Sequence, residues 1–309
     1  MVKTMSEKRI KTAGSKFIPT DDPIYFIASG GETLVKARGF HNYVLVAVNE
    51  LMSEAEISKF VDLLNDGDSI LIDSGVFSLA NEHAKAHNIT MDEALSLAPE
   101  DVDGFQELLK QYIFIVQKYG EQSWGYIEID QGGRENKLKT RAYLESLGLR
   151  PIPVYHPFND GWDYFDYLCE HYDRICFGNI VQADQRTRIR LLATAWERRR
   201  KYPGTWIHLL GYTHNQWINA FPLSSSDSSA WLDSVRWDGH RPKAFGRSFD
   251  SLPKNFLYRL GEREHHTKAI AMSAYAAHLD LSNTRHYLKS LEKYGLNWRG
   301  WENVEQNKT

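Results

Sequence analysis

Three aspartates that are far apart in the sequence each follow a short apolar run with the composition of a β-strand. They are Asp73, Asp130 and Asp227, and a Gly or Ser residue follows each of them within two positions. Parallel α/β barrels present catalytic groups at strand ends of this kind. Two or three carboxylates at one mouth can break and remake a glycosidic bond. The sequence therefore predicts one acidic site, assembled by the fold, with chemistry at a glycosidic bond.

The elements that must position these aspartates form an alternating pattern. Eight runs have the length and composition of strands, namely 24–28, 43–48, 69–72, 125–129, 152–155, 174–177, 206–210 and 220–223. Helical patterns separate them. Eight strands that alternate with helices are typical of a (β/α)8 TIM barrel, the α/β fold that we predict. A doubly wound open sheet is the alternative.

The helical patterns include recognisable start signals. Ser53 and Glu56 form a predicted capping box, which places a helix start after the second strand. Residues 103–119 carry apolar side chains with a period of 3.6 residues. Further helices are predicted at 136–147, 162–171 and 184–201, and two more, at 262–280 and 282–294, would form a C-terminal helical closure.

The chain is predicted to fold as one domain. Residues 1–20 are polar and Lys-rich and are expected to form a flexible N-terminal arm, while 21–309 form a single TIM-barrel domain. Two long stretches lack a strand and are predicted as active-site loops, at about 78–104 and 228–262. Long loops at an active-site face are commonly lids or binding elements.

Composition excludes several classes of protein. The 309 residues are 42% hydrophobic and 25% charged, with a net charge of -3, so no global basic field indicates nucleic acid. Cys169 and Cys176 are the two cysteines and form no Cys-x-x-Cys pair, so no zinc site, other metal or cofactor is expected. No run reaches the ~20 apolar residues of a membrane span, and no signal peptide is visible. We expect a cytoplasmic protein, or one in the host cytoplasm if phage-encoded.

Five motifs, in order at five predicted strand ends, resemble one family. They are 73–78 (Asp-Ser-Gly-Val-Phe-Ser), the strand end at Asp130, 177–180 (Phe-Gly-Asn-Ile), 209–212 (Leu-Leu-Gly-Tyr) and 226–228 (Ser-Asp-Ser). Together they are similar to the tRNA-guanine transglycosylases, whose members carry Asp-Ser-Gly-Gly-Phe-Gln at the first of these positions. The resemblance covers roughly 24–231. It implies a (β/α)8 barrel that exchanges guanine for a 7-deazaguanine base.

The resemblance implies a role for each aspartate, and the chemistry agrees. Asp227 stands where the family has its nucleophile, and a carboxylate can hold the sugar covalently after an oxocarbenium-like transition state. Asp73 would give a proton to the leaving guanine, since neighbouring carboxylates raise the pKa of such a group. Asp130 would accept from the N1–H and amine of guanine.

The same motifs supply candidate substrate contacts. Phe77 and Tyr212 are expected to stack on a flipped base, and backbone N–H groups of Gly178 and Gly211 to approach it closely. His156 would bond the base or its substituent. The full predicted set of substrate-binding residues is Ser74, Phe77, Asp130, His156, Gly178, Asn179, Gly211 and Tyr212.

Departures from the family pattern indicate which nucleic acid is the expected substrate. No cysteine follows Cys176, so the family's zinc site is absent, and no basic tRNA-gripping region is recognisable. The short form looks like the DpdA group, DNA relatives found in bacterial islands and phages. DNA and a 7-deazaguanine co-substrate are therefore the expected partners, and accessory proteins that open the duplex are further candidate partners. The predicted phosphate contacts are Arg186, Arg241, Lys243 and Arg247.

Three other functions remain open at this point. The first is the same exchange on tRNA, and the second is a carboxylate-dependent hydrolase of a nucleoside or glycoside. The third is a non-catalytic partner protein, which the retention of Asp227 disfavours. A strand-end aspartate can also serve only as a helix N-cap.

Overall fold

A single parallel sheet organises the chain in this computed structural model, which describes residues 9–20, 23–28, 43–212 and 223–229. Its strands are β1 (Ile24–Ala28), β2 (Tyr43–Ala47), β3 (Ser69–Asp73), β4 (Gly125–Tyr126), β5 (Val154–Tyr155), β6 (Arg174–Phe177), β7 (Trp206–Leu209) and β8 (Ser225–Ser228). The described strands thus agree with the prediction in number and order, although the last one lies later in the chain than predicted.

The strand order shows a curled sheet of the TIM type. The order is β4-β3-β2-β1-β8-β7-β6-β5, and every adjacent pair is parallel. Sequence neighbours lie side by side and β1 pairs with β8, whereas a doubly wound sheet reverses direction at a switch point. Between β4 and β5 there is no ladder, only a parallel bridge from Ile127 to Ile152. The architecture is therefore an α/β half-barrel with a TIM-like order of strands.

Helices separate most of the strands. Those in the described ranges are α1 (Glu54–Asn65), α2 (Val76–His87), α3 (Met91–Ser96), α4 (Phe105–Tyr119), α5 (Gly133–Ser146), α6 (Trp162–His171) and α7 (Gln185–Arg199). The predicted capping box is present, because the Glu56 backbone N–H donates to Ser53 Oγ while Glu56 Oε2 accepts from the Ser53 backbone. The helices predicted after residue 262 lie outside the described residues.

The stretch at 78–104 was predicted as a long loop, and that prediction is wrong. It contains the rest of α2, all of α3 and a 3-10 turn at Pro99–Asp101. A second capping box starts α3, since the Glu93 backbone N–H donates to Thr90 Oγ1 and Glu93 Oε2 accepts from the Thr90 backbone. The apolar face that begins with Val76 and Ala80 is buried in the core.

The last strand also differs from its predicted position. It was expected at 220–223, of which only Leu223 is described, and the strand begins two residues later, at Ser225. Its register with β1 pairs Phe26 with Asp227, so this aspartate lies within the strand and not beyond its end. The strand is polar, yet all four residues are buried. Sheet pairing and the side-chain hydrogen bonds of Ser225 and Asp227 satisfy most of its polar groups, whereas Ser226 Oγ has no partner among the described residues.

The core has an inner and an outer part. Strand side chains such as Phe26, Leu45 and Leu71 form an inner cluster with Trp124 and Trp206, to which no helix of the described chain contributes. The alternate strand positions pack against the helices in two outer clusters. This alternation is what a curled parallel sheet requires, with one face filled by its own side chains and the other covered by helices.

Part of the predicted N-terminal arm packs against the sheet. The Thr12 backbone N–H donates to Asp173 Oδ1 at 2.9 Å, and the Arg174 guanidinium donates to Thr12 Oγ1 at 2.6 Å. The Phe17 ring lies edge-on to Trp124 and Trp206, with centroids 5.0 and 5.4 Å apart. Residues 9–20 therefore cover the end of the sheet opposite the strand carboxyl ends.

Candidate active site

The carboxyl ends of the strands surround a cavity of about 520 Å³. This volume is in the range of small-molecule sites. Asp73, Asp130, Asp227 and His156 all line it, although they come from four different strands or strand ends. The structure thus brings together the three aspartates that were singled out from the sequence.

Asp227 is the most buried of the three aspartates. The residue is 6% exposed. Its Oδ1 accepts from the backbone N–H of Gly211 at 2.9 Å and lies 3.1 Å from His208 Nε2. His208 lies on β7, is 1% exposed and was not among the predicted site residues. A histidine in a buried strand resembles any core polar residue in sequence, so only the β7–β8 pairing shows its contact with Asp227.

Asp73 is the last residue of β3, and its carboxyl has a weaker set of partners. Its Oδ2 accepts from the backbone N–H of Gly75 at 3.1 Å. Burial and the negative charge of Asp130 raise the pKa of Asp73 to about 7, with smaller contributions from Asp227 and Glu50 and a partial offset from the Gly75 hydrogen bond. Such a carboxyl both gives and takes a proton near neutral pH.

The pKa of Asp130 is shifted in the opposite direction to that of Asp73, although both residues line the same cavity. Burial favours its neutral form, but the hydrogen bond from His156 Nε2 to Oδ2 at 2.8 Å, the charge of that imidazole and the charge of Lys137 together lower its pKa. Its side chain is 17% exposed. Asp130 is therefore an ionised acceptor whose remaining lone pairs can receive hydrogen bonds from a ligand.

A buried scaffold fixes the position of His156. The His156 backbone N–H donates to Asp160 Oδ2 at 2.7 Å, and Lys137 Nζ donates to the same oxygen and to the Val154 carbonyl. The side chains of Lys137 and Asp160 are fully buried. The prediction gave His156 a ligand contact; the structure shows that the imidazole lines the cavity and also holds Asp130.

Glu50 is a further acid at the cavity that the sequence analysis did not identify. It ends the 3-10 turn Val48–Glu50 directly after β2. Burial raises its pKa, offset in part by a hydrogen bond from the backbone of Ala47. The available signal was its position after a predicted strand, which it shares with Asp73 and Asp130.

The two glycines do not present their N–H groups as predicted. The Gly178 N–H donates to the Tyr155 carbonyl at 2.8 Å, and the Gly211 N–H donates to Asp227. Both donors are already used within the protein, so neither is available to a base. A Cβ at Gly178 would meet the His156 ring at 2.9 Å, so the lack of a side chain at this position leaves room for the imidazole. Asn179 lines the cavity with φ 59°, a conformation that Asn tolerates.

The remaining predicted contacts are divided between the cavity and the core. Phe77 lines the cavity and is 56% exposed, as a stacking platform must be. Ser74 also lines it, and its Oγ accepts from the Val76 backbone N–H at 3.4 Å. Tyr212 is 6% exposed and packs in the outer core, with the Arg188 guanidinium 5.6 Å from its ring centroid.

Among the predicted phosphate contacts only one is described. Arg186 is exposed in the first turn of α7 and does not line the cavity. Arg188, two residues further along, donates to the carbonyl of Val181, which does line the cavity. The predicted contacts Arg241, Lys243 and Arg247, and most of the predicted loop at 228–262, lie outside the described residues.

One side-chain group outside the cavity has the composition of a metal site. Donor atoms of His83, His87 and Asp103 lie within 4.8 Å of one another. However, His83 Nδ1 accepts from the Asp103 backbone N–H at 3.2 Å, and His87 Nε2 lies 2.6 Å from Asp103 Oδ2. Hydrogen bonds within the group therefore already use its donor atoms. The group joins the end of α2 to the start of α4 by hydrogen bonds.

No protein-family model matches this chain, and no curated protein matches it. Of the helices that the structure describes, none combines the length and the apolar character needed to cross a bilayer.

Proposed function

We propose that this protein is a DNA-guanine transglycosylase, a glycosyltransferase that exchanges guanine in DNA for a 7-deazaguanine base. The observation that carries the proposal is the meeting of three carboxyl groups with different properties in one cavity. Asp73 has a pKa raised to about 7, Asp130 has a lowered pKa, and Asp227 is held by N–H donors on one oxygen. Base exchange needs a proton carrier, an acceptor for the base and a nucleophile.

In the first half of the reaction guanine leaves. Asp227 Oδ2 attacks C1′ of the deoxyribose as the bond from C1′ to guanine N9 breaks, and an ester bond forms between the carboxylate and the sugar. The proton of Asp73 passes to the departing base, which leaves as neutral guanine. The negative charges near C1′ stabilise the oxocarbenium-like transition state.

The second half reverses these steps with a different base. The incoming 7-deazaguanine gives its N9 proton to the Asp73 carboxylate, and N9 attacks C1′. The ester bond breaks and the Asp227 carboxylate returns. The bonds and protons of the two halves balance, so no cofactor is needed. A pKa near 7 suits Asp73, which acts first as an acid and then as a base.

Recognition of the base is assigned to the other side of the cavity. The Asp130 carboxylate accepts from guanine N1–H and the exocyclic amine, groups that 7-deazaguanine shares. Phe77 is exposed at the cavity and stacks on the base, which must be flipped out of a duplex. Pairing of a carboxylate with these two donors excludes adenine and pyrimidines.

The full architecture belongs to the same proposal. We infer a closed (β/α)8 barrel with a C-terminal helical closure. The hydrogen bonds at the β4–β5 seam support closure, because the Ile152 N–H donates to the Tyr126 carbonyl at 2.8 Å and the Glu128 N–H donates to the Ile152 carbonyl at 3.0 Å. Arg141 pairs with Glu128 through two hydrogen bonds, which strengthens this seam.

The test is a base-exchange assay with radiolabelled guanine. The full-length protein is given duplex DNA, single-stranded DNA, bulk tRNA and free deoxyguanosine in parallel. Label that enters DNA alone supports the proposal, and competition by unlabelled 7-deazaguanine bases then identifies the co-substrate. Label in tRNA alone would replace DNA by tRNA as substrate. Release of free base without incorporation would instead indicate a nucleoside hydrolase.

A further inference from the structure

A chain of three buried polar side chains lies behind Asp227. Trp206 Nε1 donates to Ser225 Oγ at 2.7 Å, Ser225 Oγ lies 2.8 Å from His208 Nδ1, and His208 Nε2 lies 3.1 Å from Asp227 Oδ1. Trp206 and Ser225 are each 2% exposed and His208 is 1% exposed. In such a setting each hydrogen must be directed to a partner.

The chemistry of these groups fixes the direction of the chain. An indole N–H can only donate, so Ser225 Oγ accepts from Trp206. The single hydroxyl hydrogen of Ser225 is then available for His208 Nδ1. A neutral imidazole has one donor and one acceptor nitrogen, so Nε2 carries the hydrogen and donates to Asp227 Oδ1.

We propose that His208, held in its Nε2–H tautomer by Ser225 and Trp206, is a positioning residue for the nucleophile. This inference rests on the proposed function. The His208 and Gly211 donors both bind Oδ1, and among the described residues none donates to Oδ2 of Asp227. Oδ2 is therefore the oxygen that attacks C1′. Oδ1 keeps both donors when it becomes the carbonyl oxygen of the ester, and they stabilise the carboxylate when the ester breaks.

The same residue types also occur in hydrolytic Ser-His-Asp triads, but the arrangement here is the reverse. Asp227 lines the cavity, whereas Ser225 does not and is buried behind the imidazole. A serine in that position cannot reach a substrate. The serine therefore orients the histidine, and the aspartate is the end of the chain that meets the substrate.

Activity measurements test the positioning role with matched variants. His208→Phe keeps a ring beside Phe26, whose centroid is 5.5 Å from the imidazole, but removes the donor. We expect kcat for base exchange to fall roughly tenfold to a hundredfold, the cost of a misplaced reacting group. The acid limb of the pH profile moves to higher pH, because a carboxylate without its donor binds a proton more readily. KM for the base stays unchanged.

His208→Gln is the rescue variant, because its amide N–H₂ can take the place of Nε2–H, and most of kcat should return. Ser225→Ala leaves the imidazole in place but removes the hydrogen bond that selects its tautomer. The kcat of this variant should therefore lie between those of the two His208 variants. Equal losses in His208→Phe and His208→Gln, with unchanged pH profiles, would overturn the positioning role.

A second measurement does not depend on activity. Nitrogen-15 spectra of ring-labelled histidine in the wild-type protein should show His208 with protonated Nε2 and bare Nδ1, and Ser225→Ala should change this pattern. An active wild type with the other tautomer refutes only the positioning role. The expected tautomer in a wild type that exchanges no base on any polymer refutes the proposed function, and with it any role of His208 in that reaction.

Discussion

Two aspartate–histidine pairs, each with its aspartate at the cavity, are built differently. They are Asp130 with His156 and Asp227 with His208. In the first pair burial opposes ionisation of Asp130, but the hydrogen bond from His156, the charge of that imidazole and the charge of Lys137 together lower the pKa of the carboxyl. The Asp130 side chain is 17% exposed. Asp227 and His208 form a pair backed by neutral groups, a serine hydroxyl and an indole. The first arrangement keeps an acceptor ionised. The second fixes the orientation of the Asp227 carboxylate, because both N–H donors bind its Oδ1.

Asp73 sharpens the comparison because it has no histidine of its own. Among the described residues its one hydrogen-bond donor is the Gly75 backbone N–H, and it faces the charges of Asp130 and Asp227. The same fold therefore raises the pKa of one carboxyl while it lowers that of another. The difference lies in the partners, because all three carboxyl groups share one cavity.

The largest effect is expected when the proposed nucleophile is removed. Asp227→Asn should lower base exchange by roughly four orders of magnitude or more, because the amide cannot form the sugar ester. The assay is incorporation of labelled guanine into DNA. Asp62→Asn, a change of the same type at an exposed position of α1, is the control and should keep wild-type activity. Comparable activity in both variants would contradict the nucleophilic role.

Removal of the proton carrier should have the next largest effect. Asp73→Asn is expected to lower kcat roughly a hundredfold to ten-thousandfold. In the wild type the first step needs protonated Asp73, so activity should decline as pH rises through about 7, the pKa of this carboxyl. In the variant that alkaline limb should vanish from the remaining activity. A wild-type rate that is flat from pH 6 to 9 would exclude Asp73 as the acid.

A change on the recognition side should affect binding more than chemistry. Asp130→Asn replaces an ionised acceptor by an amide and should weaken the binding of guanine about tenfold to a hundredfold, the cost of a lost charged hydrogen bond. Isothermal titration calorimetry with free guanine measures this. His171→Asn, a change at a half-buried histidine of α6 that does not line the cavity, serves as control. Equal affinities for the wild type and Asp130→Asn would remove the recognition role.

The smallest expected effect is on stability. The folded pKa of Asp73 is raised above its unfolded value, so the folded chain binds a proton that the unfolded chain releases, and stability falls as pH rises from about 4 to about 7. Asp73→Asn removes this loss and should raise the free energy of unfolding by about 1 to 3 kcal/mol at pH 8, with little change at pH 4. Denaturant titrations at both pH values measure it. An equal effect at the two pH values would contradict the shifted pKa.

Much of the fold could be predicted because its signals are local. β1, β6 and α6 have the predicted bounds, and the box at Ser53 was recognised from its spacing. The box at Thr90 has the same spacing but was overlooked inside an expected loop. β8 was misplaced because its polar sequence has low strand propensity, and the burial that compensates for this comes from β1 and β7.

The site could be predicted only in its outline. Strand-end position was enough to select the three aspartates, and it would also have selected Glu50. The partners that set their properties could not be found in this way. His208 lies 19 residues from Asp227 in the sequence. The Gly211 N–H reaches the Asp227 carboxylate because the backbone bends after β7. Contacts between strands depend on register, which no local pattern specifies.

The most direct test of the account is the capture of the covalent intermediate. The wild-type protein is incubated with a guanine-containing DNA oligonucleotide, without added base, then denatured and digested for mass spectrometry. The account predicts an adduct on the peptide that contains Asp227, with the mass of the oligonucleotide less one guanine, and no adduct in Asp227→Asn. Base exchange with an adduct on another residue, or with none under conditions that trap an ester, would contradict it.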